Sequence, residues 1–159
     1  NVTIAPNLRQ RQNLPAIEAQ GIEAGLAAKI GTVSLDGAIA WTDATVRGEG
    51  ASLALDGNRP PQTPEFSATL TLGWHPAPGW RVAGTLRHVS AQFEDDLETD
   101  RRAPATTLDA FIAAPLRGKL SLVARAENLT DEEIVTRNQS GSIDLGVPRT
   151  FWLGLRYGF

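Results

Sequence analysis

The chain has 159 residues, 42% hydrophobic and 21% charged, with a formal net charge of -3. That balance excludes a disordered chain, and a pI near 5.4 leaves no basic field for nucleic acid. With no cysteine, a disulfide framework and a thiolate metal centre are excluded as well, and two widely spaced histidines give no expectation of a His-based metal cluster.

The opening residues, Asn1 to Pro6, carry neither the basic stretch nor the apolar run of a leader, and around Asn1 to Ile4 they predict a strand. Methionine is absent, so a processed chain or an excised piece of a longer one is expected. Ala16 to Lys29 is rich in Ala and Glu, which favours a helix by propensity. Gly21 and Gly25 oppose that. Ile22, Ala24, Leu26, Ala28 and Ile30 alternate with Gly21, Glu23, Gly25, Ala27 and Lys29, so the segment is read as a strand. Past Gly31, Val33, Leu35, Ile39 and Trp41 share a face opposite Ser34, Asp36, Ala38, Ala40 and Thr42. Phe66, Ala68, Leu70, Leu72 and Trp74 repeat the pattern, and Trp80, Val82, Gly84 and Leu86 follow with Arg81 and Arg87 on the other side. Around Leu108 to Ala114 the parity is ambiguous, because Phe111 falls opposite Leu108 and Ile112. Leu120, Leu122, Ala124 and Ala126 form a weaker strand against Arg125 and Glu127. The chain closes on Phe151, Leu153, Leu155, Tyr157 and Phe159 at alternate positions, with Arg156 between them.

The connections alternate in length. Gly31-Thr32, Pro76 to Gly79 and Arg117 to Lys119 are tight turns, whereas Arg47 to Pro64, Glu94 to Thr107 and Asp131 to Pro148 are long and polar. This predicts one all-β, antiparallel, up-and-down sheet of about eight strands with no internal domain boundary. Tight turns gather at one end and long loops at the other.

Alternation does not say which face is covered. A lipocalin-like barrel or a sandwich turns the apolar face inward; an outer-membrane barrel turns it to lipid. Aromatic placement favours lipid. Phe66 and Trp74 bracket one face eight residues apart, a rise of roughly 20 Å at the tilt of such strands, close to their apolar band. Phe151 and Phe159 repeat the spacing, Trp80 flanks the turn beside Trp74, Trp41 lies toward a long loop, and Tyr157 lies toward the chain end. These residues are expected to form the two interfacial girdles, with short periplasmic turns and long extracellular loops.

No catalytic constellation is present, so no enzyme is expected: Ser90 and Ser121 lack a His and a carboxylate at any recognised spacing. His75 is read as a solvated turn residue. The run Glu94-Asp95-Asp96 with Glu98 and Asp100 offers oxygen ligands for a divalent cation. A solvated acidic loop balanced by Arg101 and Arg102 is the preferred reading, with no metal and no cofactor.

Ala126-Glu127-Asn128-Leu129-Thr130-Asp131-Glu132-Glu133, followed after a loop by Gly146-Val147-Pro148-Arg149-Thr150-Phe151-Trp152-Leu153-Gly154-Leu155, resembles the C-terminal end of TonB-dependent outer-membrane receptors. Asn13-Leu14 through Gly21-Ile22-Glu23-Ala24 and Gln62-Thr63-Pro64-Glu65-Phe66 resemble other strand entries of that family. The resemblance implies that residues 1–159 are the C-terminal part of a barrel whose plug and earlier strands lie upstream. It implies import across the bacterial outer membrane, most often of a ferric siderophore, energised by TonB acting through the plug. It also implies a final aromatic strand, Phe151, Leu153, Leu155, Tyr157 and Phe159, read by the barrel-assembly machinery. Lumen-facing Arg81, Arg87, Arg125, Glu127 and Arg156 would set the field along the plug, and Arg87, Arg101, Arg102, Arg125 and Glu127 are the candidate ligand contacts. The alternative is a self-contained eight-stranded outer-membrane barrel with a structural or adhesive role.

Overall fold

Segments alternating with period two, joined by glycine turns, have their nearest hydrogen-bonding partner in the adjacent segment, and the chain folds accordingly. A computed structural model describes residues 2–5, 8–10 and 16–158. The strands are β1 (Val2–Ala5), β2 (Leu8–Gln10), β3 (Ala16–Ile30), β4 (Val33–Arg47), β5 (Phe66–Trp74), β6 (Arg81–Val89), β7 (Gln92–Phe93), β8 (Arg101–Arg102), β9 (Ala105–Arg117), β10 (Leu120–Glu127), β11 (Val135–Gln139), β12 (Ser142–Leu145) and β13 (Thr150–Tyr157). A 3-10 turn covers Gly50–Leu55. β3, β4, β5, β6, β9, β10 and β13 form one seven-stranded antiparallel sheet in chain order. The Ala16 to Lys29 segment is a strand, as its alternation required. The strand expected around Asn1 to Ile4 does not join this sheet: Val2–Ala5 pairs with Leu8–Gln10 in a separate two-stranded sheet, its bonds taken by its neighbour in sequence.

Gly31 and Gly118, at φ +58 each, supply the left-handed residue of two tight turns. At the opposite end, residues 48–65, 90–104 and 128–149 connect the strands, and the last two carry the small β7–β8 and β11–β12 pairs.

Pairing slants steadily across the sheet. The row Ala28↔Leu35↔Leu72↔Gly84↔Ala110↔Ala126↔Phe151 starts near the short-turn end of β3 and finishes at the long-loop end of β13. A steady stagger of this kind belongs to strands tilted within a barrel wall. The same register resolves the parity of β9. Leu108, Ala110 and Ile112 stand opposite Leu86, Gly84 and Val82 on the apolar face, and Phe111 stands opposite Ala83 on the polar one.

Among the described residues nothing covers the apolar face. Leu153 is 76% exposed, and Ile22, Leu26, Ile30, Leu72, Phe151 and Leu155 are all exposed on the same side. Buried hydrophobics among the described residues are Ala44, Val46 and Leu55, and they lie at the long-loop end.

There the sheet changes sides. Up to Ile22 and Trp41 the even residues of β3 and the odd residues of β4 are apolar; beyond them the same face carries Gln20 with Asp43, and the Glu18–Arg47 ion pair at 2.5 Å. On the other face, Ala44 and Val46 replace the polar series. Loop residues 48–65 return to this part of β4, with Val46 N–H donating to Asn58 O (2.8 Å) and Gly57 N–H to Val46 O (3.0 Å). Trp41 and Phe66 are direct neighbours at the crossing point.

Candidate functional site

Two regions hold the polar groups a binding function needs: the polar face of the sheet and the three long loops. On the polar face, Trp152, Arg125, Phe111 and Ala83 occupy one register row. Arg125 pairs with Glu127 at 2.5 Å, and Trp152 Nε1 donates to Glu127 Oε2 at 3.2 Å. Arg87 pairs with Asp109, whose other oxygen accepts the Asn128 N–H at 3.0 Å. Of the sequence-predicted cations, Arg87 and Arg125 thus lie on the polar face with their charges already matched. Arg81 and Arg156 share that face nearer the short turns and have no ion-pair partner among the described residues. Trp152 and Asp109 were not singled out in the sequence; the odd-even position of Trp152 between Phe151 and Leu153 was the available signal.

The loops are tied to one another. Residues 48–65 contact 90–104 through four bonds: Asn58 Nδ2 to Asp96 O (2.9 Å), Arg59 N–H to Glu98 Oε1 (2.7 Å), Gln62 N–H to Phe93 O (2.7 Å) and Gln62 Nε2 to Glu94 Oε1 (2.9 Å). Residues 90–104 contact 128–149 through Arg102 Nε to Val135 O (3.2 Å), Asn138 Nδ2 to Arg101 O (3.0 Å) and Ser140 N–H to Asp100 Oδ2 (2.8 Å).

The acidic run is therefore not simply solvated. Glu94, Glu98 and Asp100 accept bonds from neighbouring loops. Asp95 organises its own turn, accepting from Thr99 N–H (2.9 Å), Asp100 N–H (2.8 Å), Thr99 Oγ1 (2.8 Å) and Leu97 N–H (3.3 Å). Burial pushes its carboxyl up, but the hydrogen bonds from Asp100, Thr99 and Leu97 together hold it below the ordinary aspartate range. Among the described residues no group of acids and histidines is arranged to hold a metal ion. Arg102 is largely enclosed, whereas the exposed Arg101 makes no side-chain bond among the described residues.

The neck of the last loop accounts physically for the motif at Asn128 to Asp131. Asn128 is 3% exposed and left-handed, at φ 49. Its Nδ2 donates to Glu132 O (2.8 Å) and Val147 O (3.2 Å), and its Oδ1 accepts the Glu132 N–H (2.9 Å). Asp131 takes both the N–H and a guanidinium nitrogen of Arg149, each at 3.2 Å. The two ends of the long connection are clamped across 128–132 and 147–149.

At the sheet's margins, Trp41 and Phe66 lie at the long-loop end of the apolar face, Trp74 and Trp80 flank one short turn, and Phe151 and Tyr157 mark the two ends of β13. Phe159 lies outside the described residues. His88 sits on the apolar face beside Phe66, ring centroids 5.9 Å apart, bonded to Thr106 Oγ1 at 2.7 Å.

A slanted antiparallel meander with one uncovered apolar face, a polar face carrying paired charges at Arg87 and Arg125, and segregated loops is a section of a transmembrane β-barrel wall. Residues 1–129 match the model of the TonB dependent receptor-like β-barrel family, and the chain belongs to it. Solved structures agree on the fold. The siderophore receptor PiuA from Acinetobacter baumannii superposes with a TM-score of 0.80 at 18% identity, over 89% of this chain and 22% of that one. BauA, the ferric preacinetobactin receptor of the same organism, gives 0.76 at 25% identity, over 89% and 22%. The ferric citrate transporter FecA, unliganded, gives 0.74 at 23% identity, over 86% and 23%. The chain thus spans less than a quarter of the length of each. No curated protein matches it.

Proposed function

We propose that this chain is the C-terminal part of the barrel of an outer-membrane transporter that imports a ferric siderophore, energised by TonB through a plug encoded upstream. The observation that carries the membrane assignment is the change of sides at Trp41 and Phe66. Below them the apolar face is bare; above them the same face is charged and the apolar residues turn under a loop. A sheet folded in one solvent has no reason to invert in mid-strand. A sheet that leaves lipid for water does.

In this reading Trp41, Phe66 and Phe151 belong to the outer girdle, and Trp74, Trp80, Tyr157 and Phe159 to the periplasmic one. Phe151, Leu153, Leu155, Tyr157 and Phe159 present the strand recognised by the barrel-assembly machinery. The polar face lines the lumen around the plug, and the tied loops form part of the ligand vestibule. Iron as cargo is supported by the PiuA, BauA and FecA likenesses, each a siderophore receptor or ferric transporter by its own description.

The test uses the full-length protein in iron-starved cells supplied with radiolabelled iron on a panel of siderophores. Uptake of at least one complex is expected, and it is expected to vanish in cells lacking TonB. Uptake that persists without TonB would sink the energised-transporter reading.

A further inference from the structure

Loop-to-loop bonds are not spread evenly. One continuous polar chain crosses all three loops: Gln62 Nε2 donates to Glu94 Oε1 (2.9 Å), Glu94 Oε2 faces Arg102 Nη1 (3.6 Å), and Arg102 Nε donates to Val135 O (3.2 Å). The Glu94 and Arg102 side chains are only 12% and 18% exposed, the most enclosed ion pair among the described residues. Glu94 Oε2 is buried without a hydrogen bond, so among the described residues the nearby guanidinium is what compensates it. A charge held this way is costly to leave alone, which makes each partner dependent on the other staying in place.

We infer that Glu94 and Arg102 lock the three long loops into one cooperative unit, and that Arg102 is a positioning residue rather than a ligand contact. Its planar head serves two masters in different directions: the Nη1 edge reaches Glu94 in its own loop, and Nε reaches a carbonyl in the next. The flanking bonds Arg59 to Glu98 and Ser140 to Asp100 then close on either side of this centre. Opening the middle loop breaks the central pair, and opening either outer loop strips the pair of one of its ties, at Gln62 or at Val135, and so loosens the other two. The inference rests on loop geometry and holds whatever the cargo is.

Amide hydrogen exchange on the full-length protein tests it, with retained heat-modifiable migration on gels as the check that the barrel is assembled. In the unaltered protein, the amides of Arg59, Gln62 and Ser140, which are bonded in three different loop contacts, are expected to share one opening free energy. Arg102→Ala should speed all three by roughly tenfold, and Arg101→Ala should change none. Arg102→Lys keeps a charge for Glu94 but has no Nε to offer Val135, so Ser140 should quicken more than Arg59. Acceleration confined to residues 90–104 would overturn the inference, as would unrelated exchange of Arg59 and Ser140 in the unaltered protein. If Arg102→Ala does not assemble, Gln62→Ala cuts the chain at its other end. It must then loosen residues 135–140, which Gln62 does not touch, or the inference fails.

Discussion

Replacing Asn128 by Ala should undo the neck of the last loop. Four side-chain bonds disappear: Nδ2 to Glu132 O, Nδ2 to Val147 O, Glu132 N–H to Oδ1, and the longer Thr130 Oγ1 to Oδ1. Each is worth about 1 kcal/mol net in a buried setting. At 3% exposure, water does not reach the orphaned groups without local opening. The backbone adds to the loss. At φ 49 the left-handed conformation suits Asn better than Ala, a further cost of about 1 kcal/mol. The sum, about 3–5 kcal/mol, falls on the segment 128–149 rather than on the sheet, because β10 and β13 stay paired from Glu127↔Thr150 onward. Asn128→Gly relieves the backbone and loses only the side-chain share. Asn128→Asp keeps the acceptor but sets a carboxylate against two carbonyl oxygens, and should be no better than Ala. Limited proteolysis and exchange of the Glu132 amide in the full-length protein read these differences. If Asn128→Ala leaves that amide as protected as before, or if Asp restores it, the clamp is not what holds the neck.

Three further changes test other links. Leu155→Arg should cost about 2–4 kcal/mol near the midplane, seen as reduced assembly into membranes. Gly154→Arg on the same strand, where an added Cβ meets no atom within 4 Å, should assemble normally; equal behaviour would refute the assignment of faces. A Cβ at Gly21 would overlap the Trp41 carbonyl oxygen, which is backbone and cannot swing aside, so Gly21→Ala should cost about 1–3 kcal/mol in denaturant unfolding. Gly25→Ala, 3.9 Å from its nearest atom, is the tolerated control. Asp95 titrates lower folded than unfolded, so its contribution to the 95–100 turn is complete above the unfolded value near 3.9 and is lost as pH falls through the lower folded value. Protease nicking of that turn should rise only in that acidic window, and Asp95→Asn should abolish the step.

The strands and their faces were legible because period two is a property of every residue in them. One slip of register would have moved Leu70 and Leu86 to the polar side together. The ties between loops were not legible. Asn58 meets Asp96 and Ser140 meets Asp100 across separations of 38 and 40 residues, with no repeat to announce them. For the same reason Arg101 and Arg102 look alike in sequence, two adjacent cations beside an acidic run, while one is enclosed and the other open. The Asn128 motif supplied a resemblance without its cause, since nothing local says that this asparagine is left-handed and buried.

The change of sides in β4 shows how much a phase can carry. Val33, Leu35, Ile39 and Trp41 are odd; Ala44 and Val46 are even. No break separates them, and β4 pairs residue for residue with β3 through Arg47. A bulge would also have switched the face, but the backbone stays regular and the side-chain pattern shifts instead. Apolar groups below the shift need no protein partner, and those above it need one: Val46 is covered and Leu72 is not. In the proposed membrane setting the same strand obeys two solvents. On that proposal the boundary between them would fall where Trp41 meets Phe66, two side chains each suited to an interface. Above that line the protein must bury apolar surface by its own means, and residues 48–65 do so by laying Leu55 at the long-loop end where Ala44 and Val46 are enclosed. The first long loop is thus bonded to β4 where Ala44 and Val46 are buried, and its attachment to the next loop through Asn58, Arg59 and Gln62 starts from that base.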